Sequence, residues 1–327
     1  MNERLKISLG SGIVAALLLA APHGAAQSAA TYPTKPVRLI VASGAGGGLD
    51  FVARQVAVPL SEALGQTVVV DNRAGASGSI AAEVSSQAAP DGYTLMFLSA
   101  SLVVYGIVNK TRYDLYRDFA PVTQAAAAPY MLTVYPGLPV NTVKELIAYA
   151  KANPAKLNFA STGNASLAHL AGELFGITTG TQLVHIPYKG VGAGLTDMLS
   201  GRVQMSFLSA GSVYAQVRTQ KLKAIAIASA TRAKMAPDLP TMVESGVPEF
   251  VVTQWHGMLA PRGTPQPVIE RLHREIVKAV QRPEVAARLA LDGTEGIASS
   301  PQEFAAHLKS EREQWAKVVK QANIRGD

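Results

Sequence analysis

The chain has no cysteine. That excludes disulfides, thiolate catalysis and cysteine-based zinc sites together. Aromatic residues are scarce, at 6%, and although the formal net charge is +7 there is no run of five basic residues. A nucleic-acid surface needs clustered cations with stacking aromatics, so the basic excess reads as a solvated surface with mild attraction for anionic solutes. Charged residues make up only 16% against 48% hydrophobic, which makes the chain globular, and its 327 residues allow one large or two medium domains. No HExxH and no cluster of Cys or His is present, so no metal is expected. The G-x-S-x-G elbow of a serine hydrolase is also missing.

Beyond the N-terminal region no stretch approaches 18 continuous apolar residues. The first residues have a different layout. Arg4 and Lys6 form a basic start, Ile7 to Ala21 an apolar run, and small residues follow through Ala26. This predicts a secretory signal peptide over residues 1–26, with cleavage as late as 30, and a soluble exported protein. The apolar run is too short, and too interrupted by Ser8, Gly10, Ser11 and Gly12, for a membrane anchor.

What is present is organised around Val37 to Gly65. A short apolar strand, Val37 to Val41, breaks into Ser43-Gly44-Ala45-Gly46-Gly47-Gly48, and a helix follows with Val52, Val56 and Leu60 on one face. A glycine-rich turn at the positive end of a helix offers backbone N–H groups to an anion. The pattern returns twice more. Leu157 to Ala160 leads into Ser161-Thr162-Gly163-Asn164-Ala165-Ser166 and a helix, and Leu183 to Ile186 leads into Tyr188-Lys189-Gly190 and another. A further strand ends at Ser99. In open α/β sheets ligands sit beyond the carboxyl ends of strands, so these loops predict the walls of a cleft. Asp118 to Val122 leads through an alanine-rich crossing segment to a strand, Tyr130 to Val134. Thr142 to Glu145 and Ser300 to Glu303 read as helix caps. Val268, Leu272, Ile276 and Val280 mark an amphipathic C-terminal helix.

Two enzyme readings have partial support. Gly44 and Gly46 begin a dinucleotide fingerprint with Asp71 where a ribose-binding acid would stand, but Leu49 occupies the third glycine position. The rival to a binding protein is an exported α/β enzyme acting on a carboxylate, with His169 as base beside Ser166.

The chain resembles the Bug-type extracytoplasmic solute-binding receptors of tripartite tricarboxylate transporters over essentially its whole mature length. The likeness is carried by Tyr32-Pro33, Gly47 to Arg54, Asn72-Arg73-Ala74-Gly75-Ala76-Ser77-Gly78, Pro90 to Tyr93, Ser161-Thr162-Gly163 with His169-Leu170, Pro187 to Gly190, and Gly257 to Pro261 with Gly263-Thr264-Pro265. It implies a type II periplasmic-binding-protein fold, two α/β lobes joined by a two-segment hinge. Residues 31–126 plus 254–327 would form the first lobe and 127–253 the second. It also implies a periplasmic, non-enzymatic, monomeric protein without cofactor, delivering a small organic acid to integral-membrane transporter subunits; a receptor feeding a sensor kinase shares every feature. The ligand-binding residues it implies are Ser43, Gly44, Gly46, Gly47, Gly48 and Ser99 from one lobe. From the other they are Ser161, Thr162, Gly163, Ser166, His169, Tyr188, Lys189 and Gly190. Many relatives carry aspartates around Phe207, where this chain reads Gln204-Met205-Ser206-Phe207-Leu208-Ser209. Losing those acids removes a partner for an amino group, which predicts a di-, tri- or aromatic carboxylate without an ammonium.

Overall fold

Four of the five residues of Val37–Val41 (β1) are apolar and buried, which suits a parallel strand covered on both faces. It pairs in parallel with Val68–Asn72 (β2) and Thr94–Ser99 (β3), and the helices Gly48–Leu64 (α1), Ser79–Ser86 (α2) and Ala100–Val108 (α3) follow these three strands. The structure is a computed structural model describing residues 32–291 and 293–326; the predicted signal peptide lies outside them. Among the described residues no helix is long and apolar enough to cross a membrane.

The segment expected as an alanine-rich crossing followed by a strand is one strand of 16 residues, Phe119–Val134 (β4). Ala125 to Ala128 stay extended because Ala126, Ala127 and Ala128 are paired across the sheet with His256, Trp255 and Gln254. Up to Pro129 it runs antiparallel to Thr253–Pro261 (β9). From Tyr130 onward it pairs instead with Met205–Ser209 (β7) and Lys223–Ile227 (β8). Register shifts at Pro121/Thr123, Gln124/Ala126 and Leu132/Thr133 bend it along the way. Beyond this change of partner lie Val143–Ala152 (α4), Leu157–Ser161 (β5), Leu167–Thr179 (α5), Leu183–Pro187 (β6), Val191–Leu199 (α6) and Ala210–Arg218 (α7). The sheet order is β2-β1-β3-β9-β4-β7-β5-β6. β4 and β9 thus sit between two parallel clusters whose strand ends carry the predicted loops.

The C-terminal part holds three helices rather than two: Gln266–Gln281 (α8), Pro283–Leu291 (α9) and Pro301–Gln321 (α10), with a short strand Glu295–Gly296 (β10) on β4. α8 buries Val268, Leu272, Ile276 and Val280 as its periodicity predicts. α10 begins with the full capping box of Ser300 and Glu303. It is pinned by Glu311, whose Oε2 accepts from the indoles of both Trp255 (2.9 Å) and Trp315 (3.0 Å). This helix packs on α3 and also on α5, so it touches both halves of the molecule.

Candidate ligand-binding site

The loop after β1 is held from beneath by one carboxylate. Asp50 is 3% exposed although it lies in the first turn of α1. Its Oδ2 accepts from the Gly46 amide (2.8 Å) and from Arg54 Nε (3.0 Å), and its Oδ1 accepts from Asn72 (2.9 Å), which also reaches the Ser43 carbonyl (3.2 Å). Burial works against the charge, but the hydrogen bonds from Arg54, Gly46 and Asn72 outweigh it and hold the carboxyl below its ordinary range. Asp50 is therefore the internal anchor of the loop. The Gly46 amide is spent on it, which leaves the amides at Gly48 and Leu49, the first of α1, without an intrahelical partner.

A pair of stacked imidazoles holds the loop after β5. The rings of His169 and His185 stack with centroids 3.6 Å apart and planes 6° from parallel, and Phe159 lies 5.0 Å from His185. The Ala165 amide donates to His169 Nδ1 (3.1 Å), while His169 Nε2 lies 3.5 Å from Glu173. His185 Nε2 is 2.6 Å from Ser161 Oγ, which also receives the Gly163 amide (3.1 Å). Burial, with the adjacent His169, pulls the His185 pKa down to about 4 against a weaker opposing pull from Glu173. Ser166 caps α5 by accepting from the His169 amide (3.2 Å). Ser166 Oγ and the His169 ring thus serve different backbone partners, and the hydroxyl–imidazole pair of the enzyme rival is not formed. The dinucleotide reading fails as well, since Asp71 is taken by Arg38 and Arg73.

The expected residues gather into two groups. Ser161, Thr162, Gly163, Ser166 and His169 share one cluster with Tyr188, whose amide bonds the Ser161 carbonyl (3.1 Å). The Tyr188 hydroxyl donates to Asp197 (2.8 Å), and burial together with that carboxylate raises its pKa to about 12. At this segment the protein therefore presents backbone from Tyr188 to Gly190 and the exposed side chain of Lys189. On the other side Gly46, Gly47 and Gly48 open onto a cavity of about 460 Å³ that Phe51, Arg288 and Leu291 also line. Ser99 ends β3 opposite His256 of β9. His256 is 4% exposed and burial lowers its pKa to about 4.

Two glycines are informative because the fold does not demand them. Gly46, at φ +80, needs its missing side chain, whereas Gly47 and Gly48 have ordinary φ and room for a Cβ. Gly48 opens a helix, where glycine costs up to about 1 kcal/mol relative to alanine. Glycine at both positions makes sense if a ligand approaches the backbone there.

What connects the two groups is a third loop, which the sequence reading left out of the site. Ala76 (φ +46) and Ser77 (φ +51), after β2, and Ala165 (φ +51), after β5, all adopt the left-handed conformation, at a cost of order 1 kcal/mol or more each. All three border one cavity of about 280 Å³, with Tyr105, Asn109 and Asn164. The signal was available: Ala74-Gly75-Ala76-Ser77-Gly78 is a third small-residue loop at a strand end. The Gly78 α-carbon leaves no room for a side chain against Ala42, so this loop leans on the first.

Comparison with known proteins agrees with this geometry. The family described as "Tripartite tricarboxylate transporter family receptor" matches residues 52–324. Protein BugT of Bordetella pertussis is 35% identical over 316 residues, 96% of this chain and 97% of that one. The solved structure of R. palustris Rpa4515 with adipate is 33% identical, covers 90% of this chain and 99% of its own, and superposes with a TM-score of 0.76. MatC of Rhodopseudomonas palustris with bound malate is 29% identical, with coverages of 88% and 100% and a TM-score of 0.72. The fold is the mixed α/β fold of the periplasmic binding proteins. The chain belongs to the family of tripartite tricarboxylate transporter receptors.

Proposed function

We propose that this protein captures a small organic acid lacking an ammonium group in the periplasm and hands it to the membrane subunits of a tripartite transporter. The observation that carries the site assignment is the pair Gly47 and Gly48, glycines that the backbone does not need, at the amide-rich start of α1. Relatives solved with adipate and malate support the carboxylate class. The absence of an ammonium follows from the acids at hand. Asp50 is buried under its loop with three donors, and Asp197 is engaged by Tyr188 and Arg202. No acid belongs to the loops 43–48, 161–166 or 188–190 themselves, and Glu173, beside the second of them, faces His169 Nε2 at 3.5 Å.

The working cycle is closure of two lobes, 31–126 plus 254–327 against 127–253, after export and removal of the leader. The change of strand partners along β4 at Pro129/Tyr130 supports that division. A ligand touching both lobes favours the closed state by its difference in affinity for the two states. The test is calorimetric titration of the mature protein with succinate, malate, citrate, benzoate, aspartate and glutamate. Binding of one or more of the first four, each recovered unchanged, is the expected result. Tight binding of aspartate or glutamate alone would overturn the ligand class, and recovery of a product would overturn the receptor.

A further inference from the structure

We infer that the 280 Å³ cavity lined by Ser77, Tyr105, Asn109 and Asn164 is the specificity pocket of the receptor, and that it selects hydroxylated acids over unhydroxylated acids of the same skeleton. The inference rests on the carboxylate reading above and adds which carboxylates are preferred. It has three supports.

The first is placement. One wall comes from the β2–α2 loop and α3, the other from the β5–α5 loop, so an occupant touches both lobes. The second is backbone geometry. Ala76, Ser77 and Ala165 are three of the eight non-glycine residues with positive φ among those described, and all three meet at this cavity. The alanines have no polar side chain to stabilise a left-handed backbone locally, so neighbouring structure must hold them there. Strain concentrated in this way is a marker of ligand clamps.

The third is chemistry. The polar side chains here are a hydroxyl, a phenol and two carboxamides, all uncharged at neutral pH, each able to donate and to accept. A ligand hydroxyl also donates and accepts, and so answers them directly. Asn109 already donates to the Tyr105 carbonyl (3.3 Å), so it is the Asn164 carboxamide that a methylene leaves without a partner once the lobes close over it, and a group that loses its partner is penalised more than a made bond is rewarded. Sites built to hydrogen-bond a hydroxyl reject the analogue without it far better than apolar sites reject an added one.

The test is competition between matched pairs on the full mature chain, malate against succinate and 4-hydroxybenzoate against benzoate, by isothermal titration. For whichever pair binds, the hydroxylated member is expected to bind about tenfold more tightly, equivalent to ~1.4 kcal/mol. Tyr105→Phe and Asn164→Ala, one in each lobe, are each expected to bring that ratio towards one. Equal binding by the wild type would overturn this inference alone. So would variants that weaken both members of a pair equally, which is what a merely structural role predicts. Failure of all four acids to bind would overturn this inference, and the receptor reading falls with it only if citrate fails to bind as well.

Discussion

The two candidate ligand loops are built on the same strand–loop–helix plan, yet they are held by different electrostatics. The loop at 42–50 is drawn down onto a buried ionised carboxylate, Asp50, with a guanidinium, a carboxamide and an amide as its donors. The loop at 161–169 is drawn onto two stacked imidazoles, with Ser161 and the Ala165 amide as partners, and burial keeps the His185 ring neutral. The difference is that a carboxylate held below its ordinary range stays charged through the whole physiological range, whereas burial keeps the His185 imidazole uncharged until the pH falls towards 4. Protonating His169 at Nδ1 would set two N–H groups face to face, since that nitrogen accepts from Ala165. The first loop is thus expected to be indifferent to mild acid and the second sensitive to it.

The largest effect should come from removing the charged anchor. Asp50→Ala leaves the Gly46 amide and Asn72 without their acceptor and takes away a charge-assisted bond to Arg54. A hydrogen bond to a charged group is worth about 1.5–3 kcal/mol. Because Arg54 is half exposed and can turn to water, the expected loss is ~3 kcal/mol rather than that of a fully buried pair. Urea unfolding at pH 7 measures it. A loss under about 0.5 kcal/mol, the level of an ordinary surface change, would show that the loop does not depend on Asp50.

Acid should separate the two loops. The His185 pKa is near 4 in the folded protein and near 6.5 when unfolded. Above pH 6.5 both states are neutral and the full stability is present. Between 6.5 and 4 the unfolded chain binds a proton that the folded one refuses, so stability falls as pH drops through that window. Asp50, lowered from 3.8, loses its contribution only below about pH 4. His256 titrates in the same direction as His185 but from the sheet beside Ser99. His185→Gln should therefore flatten the stability–pH curve between 6.5 and 4 by up to about 2 kcal/mol while leaving the decline below 4 unchanged. An unchanged slope would place the pH sensitivity elsewhere, His256 being the first alternative.

A smaller difference lies in the caps. Ser166 caps α5 with its side chain, and α1 begins at Gly47 with no side-chain cap. Ser166→Ala should cost about 1 kcal/mol in thermal unfolding. A similar loss on Gly47→Ala would contradict the asymmetry.

How much of this was legible in the sequence depends on the range of the interaction. Val37 to Val41, the α8 stripe and the Ser300 capping box are set by neighbours within a few residues, and periodicity finds them. The continuity of β4 through Ala125 to Ala128 was not legible, because four alanines carry no strand signal and pairing with β9, more than a hundred residues on, decides their conformation. The site divides in the same way. The glycine- and serine-rich strand ends are local features and were read directly. What holds them, Asn72 under Ser43 and His185 against Ser161, comes from strands adjacent only in the folded sheet. A histidine in a strand looks the same in sequence whether it faces a partner's loop or the core.

The smallest change in stability should carry the clearest functional result. Gly47 and Gly48 have φ values any residue adopts, and an added Cβ meets only Gly44 O at 3.5 Å in the first case and nothing within 4 Å in the second. Replacing glycine by alanine at such positions restricts the unfolded chain and stabilises by about 0.4–1 kcal/mol. Gly48→Ala is therefore expected to raise the melting temperature by a few degrees at most while weakening carboxylate binding tenfold or more. Gly46→Ala, at φ +80, should lower both. The contrast works because stability and binding move in opposite directions at Gly48 and together at Gly46. A Gly48→Ala protein that binds as well as the wild type would mean that no ligand approaches the start of α1, and the first loop would then be only a turn.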